Sequence, residues 1–247
     1  MVIVSLFASL PPIASTMIAP ALPQIGNDIG ATGGETSRTL LLSIFLLGYV
    51  IGPLVSSPLS EMYGRAPILQ FGNMVFLVFD LACGFAVTYS QMLVFRLFAG
   101  VGASTPLGIG GGIISDCFKP EQRGLAVSIY NLFPLLGPAI GPIIGAFIAE
   151  YSNWRWIFWS TCIAGAVIQS IAFFLLDETW APRILEKKKQ ALIKQAGEAC
   201  FYTAADVDDE DKSVMARLRT ALTRPLRLLA TEAVVQALCH TWHSSTA

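Results

Sequence analysis

Charge is what this sequence has least of. Only 13% of its 247 residues are Asp, Glu, Lys or Arg, against roughly a quarter in soluble domains, which puts a water-soluble enzyme far behind. The 16 Lys and Arg nearly cancel the 17 Asp and Glu, leaving a net charge of -1, so no global basic field exists to recruit nucleic acid. Histidine is confined to His240 and His243 near the C-terminal end, which leaves Gly102-Ala103-Ser104 without a base for intramembrane hydrolysis. Cys83 and Cys162 lie inside apolar blocks while Cys117, Cys200 and Cys239 stand apart; with no Cys-x-x-Cys spacing, neither a disulfide nor zinc is assigned. Gly108-Ile109-Gly110-Gly111-Gly112 has the look of a dinucleotide loop but sits within an apolar stretch, not between a strand and a helix. No catalytic residue, metal or cofactor is assigned.

What is abundant is apolar surface. Hydrophobic residues make up 54% of the chain and mean hydropathy is +0.61. They fall in six blocks, about 1–21, 39–59, 67–88, 91–115, 125–149 and 156–176, each long enough to cross a bilayer as a helix. Barrel strands would be about 10 residues long with alternating polarity; helices satisfy their own backbone in lipid. The expected fold class is therefore an all-α membrane protein with six transmembrane helices over residues 1–176. The first block lacks the positive start of a cleaved signal and reads as a retained span. Residues 177–229, with the basic run Glu186-Lys187-Lys188-Lys189 and an acidic run from Asp206 to Asp211, read as a solvated cytoplasmic linker. Residues 230–247 read as the start of a further helix that His240-Thr241-Trp242-His243 cuts short before it can cross.

Sidedness follows from the basic residues. Arg65, Lys119 and Arg123 sit in the second and fourth connections and a further ten lie between Arg183 and Arg227, whereas only Arg38 and Arg155 occupy the opposite side. Positive segments stay cytoplasmic, so both termini are expected there.

Two ionisable residues lie well inside spans, Asp80 in the third and Arg96 in the fourth, and such residues are functional hypotheses by default. At the helical rise they lie roughly 12 and 8 Å from the outer end, a depth that permits an ion pair. The pair reads either as a charged element of a substrate or proton path or as a buried clasp between two helices. Gly137, Gly141 and Gly145, followed by Ala149, recur every fourth residue in span five, as do Gly100, Ser104, Gly108 and Gly112 in span four, which predicts close helix packing. Pro134, Pro138 and Pro142 remove helix hydrogen bonds from span five and invite a bend. Asn73, Asn131 and Gln169 are cavity-lining candidates or interhelical hydrogen-bonding groups. Trp154-Arg155-Trp156-Ile157-Phe158-Trp159 reads as an interfacial anchor.

These patterns resemble the major facilitator superfamily, and within it the fungal drug:proton antiporter branch of twelve-helix type. Ser57-Pro58-Leu59-Ser60-Glu61-Met62-Tyr63-Gly64-Arg65-Ala66-Pro67 is similar to the family's signature between helices two and three, with Glu61 for the acid and Gly64-Arg65 for its Gly-Arg. Ser57, Met62 and Ala66 depart from it, thinning the charge network that this resemblance implies as a cytoplasmic gate. Phe95-Arg96-Leu97-Phe98-Ala99-Gly100-Val101-Gly102 resembles the helix-four signature, which implies a role for Arg96 in proton coupling. Gly137-Pro138-Ala139-Ile140-Gly141-Pro142-Ile143-Ile144-Gly145-Ala146 resembles the helix-five antiporter signature, with Ala146 in place of its last glycine.

The resemblance covers only the first of two six-helix halves, which in the family rock against each other around a site at the bilayer midplane. It implies a plasma-membrane carrier that exchanges protons for small amphipathic compounds and needs a second half-transporter or a homodimer to enclose the pathway. The alternative is a non-transporting membrane fragment that associates with or regulates full-length transporters. Small molecules, protons and the lipid bilayer are the expected partners.

Overall fold

The computed structural model describes residues 2–30, 34–175, 178, 183–185, 188–189 and 193. The rest of the linker 177–229 and all of 230–247, including the incipient further helix, lie outside the described residues. The chain divides after Ile184, and among the described residues every membrane-length helix belongs to the unit before that point.

Six helical segments long and apolar enough to cross a membrane occupy Ile3–Asp28, Thr36–Tyr63, Arg65–Gly84, Tyr89–Cys117, Pro120–Tyr151 and Arg155–Leu175. The expected all-α six-helix class is what the structure has. Two of the segments are broken. The first consists of α1 (Val2–Met17), a 3-10 turn over Ala19–Ala21 and α2 (Leu22–Asp28), because Pro20 and Pro23 withhold two backbone donors. It continues past the expected end at Ala21. The fourth consists of α5 (Tyr89–Ala103) and α6 (Thr105–Cys117). There Pro106 cannot donate to Gly102 O, and the Thr105 hydroxyl does so instead at 2.9 Å.

The remaining segments are unbroken: α3 (Gly34–Tyr63), α4 (Arg65–Gly84), α7 (Pro120–Tyr151) and α8 (Arg155–Leu175). α4 ends at Gly84 rather than at residue 88, since the Thr88 side chain already caps α5 by accepting from Gln91 N at 3.4 Å. α7 stays helical through Pro134, Pro138 and Pro142.

Packing follows the small residues. α1 lies against α7, α3 against α5, and α4 between α5 and α8. A Cβ on Gly137 would come within 2.7 Å of Pro12 Cβ, one on Gly141 would strike the Thr16 hydroxyl, and one on Gly145 the Met17 carbonyl. The glycine strip of α7 is therefore the seat of α1. On the other side, Gly100 faces the Phe45 carbonyl and Gly108 faces Pro53 and Ser56 of α3. Large apolar residues such as Val50 on α3 and Leu135, Ile143 and Phe147 on α7 remain exposed, as expected of a protein whose surroundings are lipid or another membrane helix.

Candidate functional site

Asp80 on α4 and Arg96 on α5 are both buried, at 1% and 0% exposure. They do not form the ion pair that equal depth permits. The Asp80 carboxylate accepts a 2.5 Å hydrogen bond at Oδ2 from the Thr161 hydroxyl of α8, and its Oδ1 has no partner. None of the Arg96 guanidinium nitrogens makes a hydrogen bond. Its Cζ lies instead 5.2 Å from the Phe45 ring centroid and 5.0 Å from that of Phe158. Thr161 has taken the carboxylate and two aromatic rings flank the cation, so the charges stay within electrostatic reach without touching. Desolvated cation–π contacts contribute about 2 kcal/mol each, well short of what a buried guanidinium loses in water. The site thus holds an incompletely satisfied cation beside an incompletely satisfied carboxylate.

The amides separate. Gln169 accepts at Oε1 from Asn73 Nδ2 at 2.7 Å, a buried bond between α8 and α4, whereas Asn131 is exposed on α7. An open apolar cavity of about 190 Å³ lies elsewhere, between α1 (Pro12, Thr16), α3 (Phe45, Leu46, Tyr49) and Pro138 of α7. Pro138 thus faces space while its neighbours Gly137 and Gly141 are buried under α1; Pro142 is half-buried.

At one end of the bundle the chain turns sharply from α3 into α4 through Gly64, whose φ is +97°. A side chain there would be strained by the backbone and would also run into the Glu178 carboxylate and Arg183. The next residue, Arg65, is 8% exposed. Its Nε donates to Asp116 Oδ2 at 2.5 Å and its backbone N–H donates to Glu178 Oε1 at 2.9 Å. Arg183 donates to the Tyr63 carbonyl. Glu61 is exposed on the other side of the turn.

Asp116, near the end of α6, and Glu178, beyond α8, therefore anchor this turn. A signal was present for Asp116, which follows Gly112 by four residues and shares its helix face. The Arg65 guanidinium fills the space that Gly112 leaves open. No such signal marks Glu178.

The opposite end corrects another expectation. Trp154 is buried at 1% exposure rather than anchored among headgroups. Its indole N–H donates to Asp28 Oδ2 at 2.8 Å, while Arg155 lies 4.4 Å from the Trp154 ring and 4.0 Å from the same carboxylate oxygen. Trp156 is about half exposed. Gln24 of α2 donates to the Ala149 carbonyl at 2.9 Å, so α2 is bound to the α7–α8 end by side chains.

The sequence matches the Major Facilitator Superfamily over residues 4–242. The chain belongs to that superfamily. It is 43% identical over 242 residues to an uncharacterized transporter of Schizosaccharomyces pombe, covering 98% of this chain and 48% of that protein. It is 44% identical over 232 residues to the efflux pump vrtL of Penicillium aethiopicum, covering 94% and 45% respectively. The chain thus spans about half the length of these relatives.

Among solved structures, the inward-open xylose transporter XylE of E. coli superimposes with a TM-score of 0.65 at 16% identity. That match covers 94% of this chain and 56% of that one. In fold, the six helices are half of a major facilitator bundle. Within that half the side-chain network at Gly64 is built around the Arg65–Asp116 salt bridge.

Proposed function

We propose that this superfamily member acts in proton-driven export of small amphipathic compounds across the plasma membrane, with both termini in the cytoplasm. It forms one wall of a pathway whose other wall is a second six-helix half, further along a longer polypeptide or supplied by a second copy. The observation that carries the reading is the Asp80–Arg96 cluster. A carboxylate that gains or loses a proton beside a cation without hydrogen bonds changes the net charge of a site held by α3, α4, α5 and α8, so proton occupancy and helix arrangement are linked. The names of relatives support the direction of transport: vrtL of Penicillium aethiopicum and radE of Floropilus chiversii, 34% identical over 227 residues, are called efflux pumps.

When Asp80 is ionised it accepts from Thr161 and offsets the field of Arg96. When it is protonated that offset is lost, and the guanidinium is retained only by its two rings. The proposal is that this imbalance favours a second arrangement of the half against its counterpart, returning when the proton leaves. Gly64–Arg65–Asp116 is read as the cytoplasmic gate and the Gly137/Gly141/Gly145 strip as the surface that keeps α1 on α7 during the motion.

Reconstitution of the chain in liposomes loaded with Nile red, under an imposed proton gradient, tests this reading. Gradient-dependent dye loss is expected, with Arg96→Ala and Asp80→Asn both abolishing the dependence. Export that ignores the gradient argues against antiport. No export from the chain alone, with copurification of a full-length relative, favours the non-transporting alternative.

A further inference from the structure

Phe45 is 1% exposed and still forms part of the wall of the apolar cavity, while its ring stands 5.2 Å from the Arg96 guanidinium. One ring therefore borders both the cavity and the buried cation. Tyr49, one helical turn on, stacks with it at 6.3 Å and 19° and extends the aromatic surface along the cavity.

The backbone around Phe45 cannot yield. A Cβ on Gly100 of α5 would strike the Phe45 carbonyl, and one on Gly48 would strike the Leu97 carbonyl, so α3 and α5 touch main chain to main chain. A ligand pressing on the Phe45 ring must displace side chains rather than helices. Arg96, with no hydrogen bond at Nε, Nη1 or Nη2, is a side chain free to respond.

We propose that Phe45 is a positioning residue that transmits occupancy of the apolar cavity to Arg96, coupling the binding of an uncharged, flat, ring-containing ligand to the charge state of the Arg96–Asp80 cluster. The proposal rests on the proton-linked reading of that cluster and names the ligand class and the coupling residue within it.

The ligand class follows from the wall. No charged side chain lines the cavity, and the Thr16 hydroxyl is already engaged with the Pro12 and Gly137 carbonyls. An ion would lose its water without a partner, whereas a flat ring gains offset stacking against the half-buried Tyr49 and edge contact with Phe45. A cavity of about 190 Å³ exceeds the roughly 150 Å³ that holds benzene in an apolar site, which suits two fused rings. The titratable groups that meet Arg96 and Asp80 are Cys83 of α4 and Cys162 of α8. Tyr49 of α3 lies within electrostatic reach of Tyr130 of α7. α1 carries no titratable side chain. Asp80 is the one carboxylate in this set.

The test is equilibrium binding of tritiated 2-methoxynaphthalene, uncharged at every pH, to the full chain in detergent, with excess unlabelled compound defining specific binding. In the unmodified chain, affinity is expected to change about tenfold between mildly acidic and neutral pH, a usual size for coupled sites. Phe45→Leu should still bind the probe but lose the pH dependence, and Phe45→Tyr should restore it. Ser15→Trp, which fills the cavity from α1, should abolish binding at every pH, with melting curves verifying that each variant folds.

The proposal is overturned if Phe45→Leu keeps the full pH dependence, if Ser15→Trp binds normally, or if the unmodified chain shows no pH dependence. The last result needs no substitution. With gradient-driven Nile red export intact, it removes the Phe45 coupling alone; with export also absent, the proton-linked reading fails too.

Discussion

Asp80 receives its hydrogen bond from a hydroxyl that has other acceptors at hand. Thr161 Oγ1 lies 2.9 Å from the Phe158 carbonyl and 3.1 Å from that of Ile157, in addition to 2.5 Å from Asp80 Oδ2. A hydroxyl has one proton to give, so the bond to Asp80 is a choice that the carboxylate's charge decides. Hydrogen bonds to charged groups contribute about 1.5–3 kcal/mol. Thr161→Val keeps the shape and removes the donor, and is expected to lower stability by about that amount, read as a fall in melting temperature of the purified chain. Thr161→Ser, which restores a donor, should recover most of the loss. A Val variant as stable as the unmodified chain would mean that the carboxylate draws nothing from Thr161.

Among helices, what matters is which glycines touch backbone and which touch nothing. Gly145 of α7 faces the Met17 carbonyl of α1, which cannot rotate away, whereas Gly111 of α6 has nothing within 4 Å of where a methyl group would stand. Gly145→Val should force α1 from α7 and cost about 1–3 kcal/mol or more. Gly111→Ala should cost nothing and gains helix propensity of up to about 1 kcal/mol. Opposite signs in thermal melts of these two variants check the argument. The four-residue spacing of Gly137, Gly141 and Gly145 made the smooth face of this helix legible in the sequence. It could not say that α1 would be the helix seated there, because periodicity fixes a face and not its neighbour. The charge cluster was half legible for the same reason: burial of Asp80 and Arg96 followed from their apolar blocks, but their partners Thr161, Phe45 and Phe158 come from distant segments. Trp154 was misread because an aromatic run at a helix start looks alike whether it meets headgroups or a carboxylate from the far end of α2.

Across the whole bundle the side-chain bonds between connections sort into two ends. One end joins Asp28 to Trp154, Arg38 to Asn27 at 3.1 Å and the Tyr89 hydroxyl to the Ser37 carbonyl at 2.8 Å. The other joins Arg65 to Asp116 and Glu178, and Arg123 to the Ser115 carbonyl at 2.9 Å. This alternation is what six consecutive crossings require, and it assigns the connections at residues 64 and 119 to a common face. Those connections carry Arg65, Lys119 and Arg123, so the positive-inside rule predicts that this face is the cytoplasmic one, as the proposed orientation requires. Cys117 is a free, exposed thiol at that end, Cys83 is buried, and Asn153 is exposed at the opposite end. In a chain carrying Cys200→Ser and Cys239→Ser, a membrane-impermeant maleimide added to intact cells should leave Cys117 unlabelled until the membrane is opened. The same reagent should label an added Asn153→Cys at once. Labelling of Cys117 from outside would invert the topology and place the Arg65–Asp116 turn, and any gate built on it, on the extracellular face.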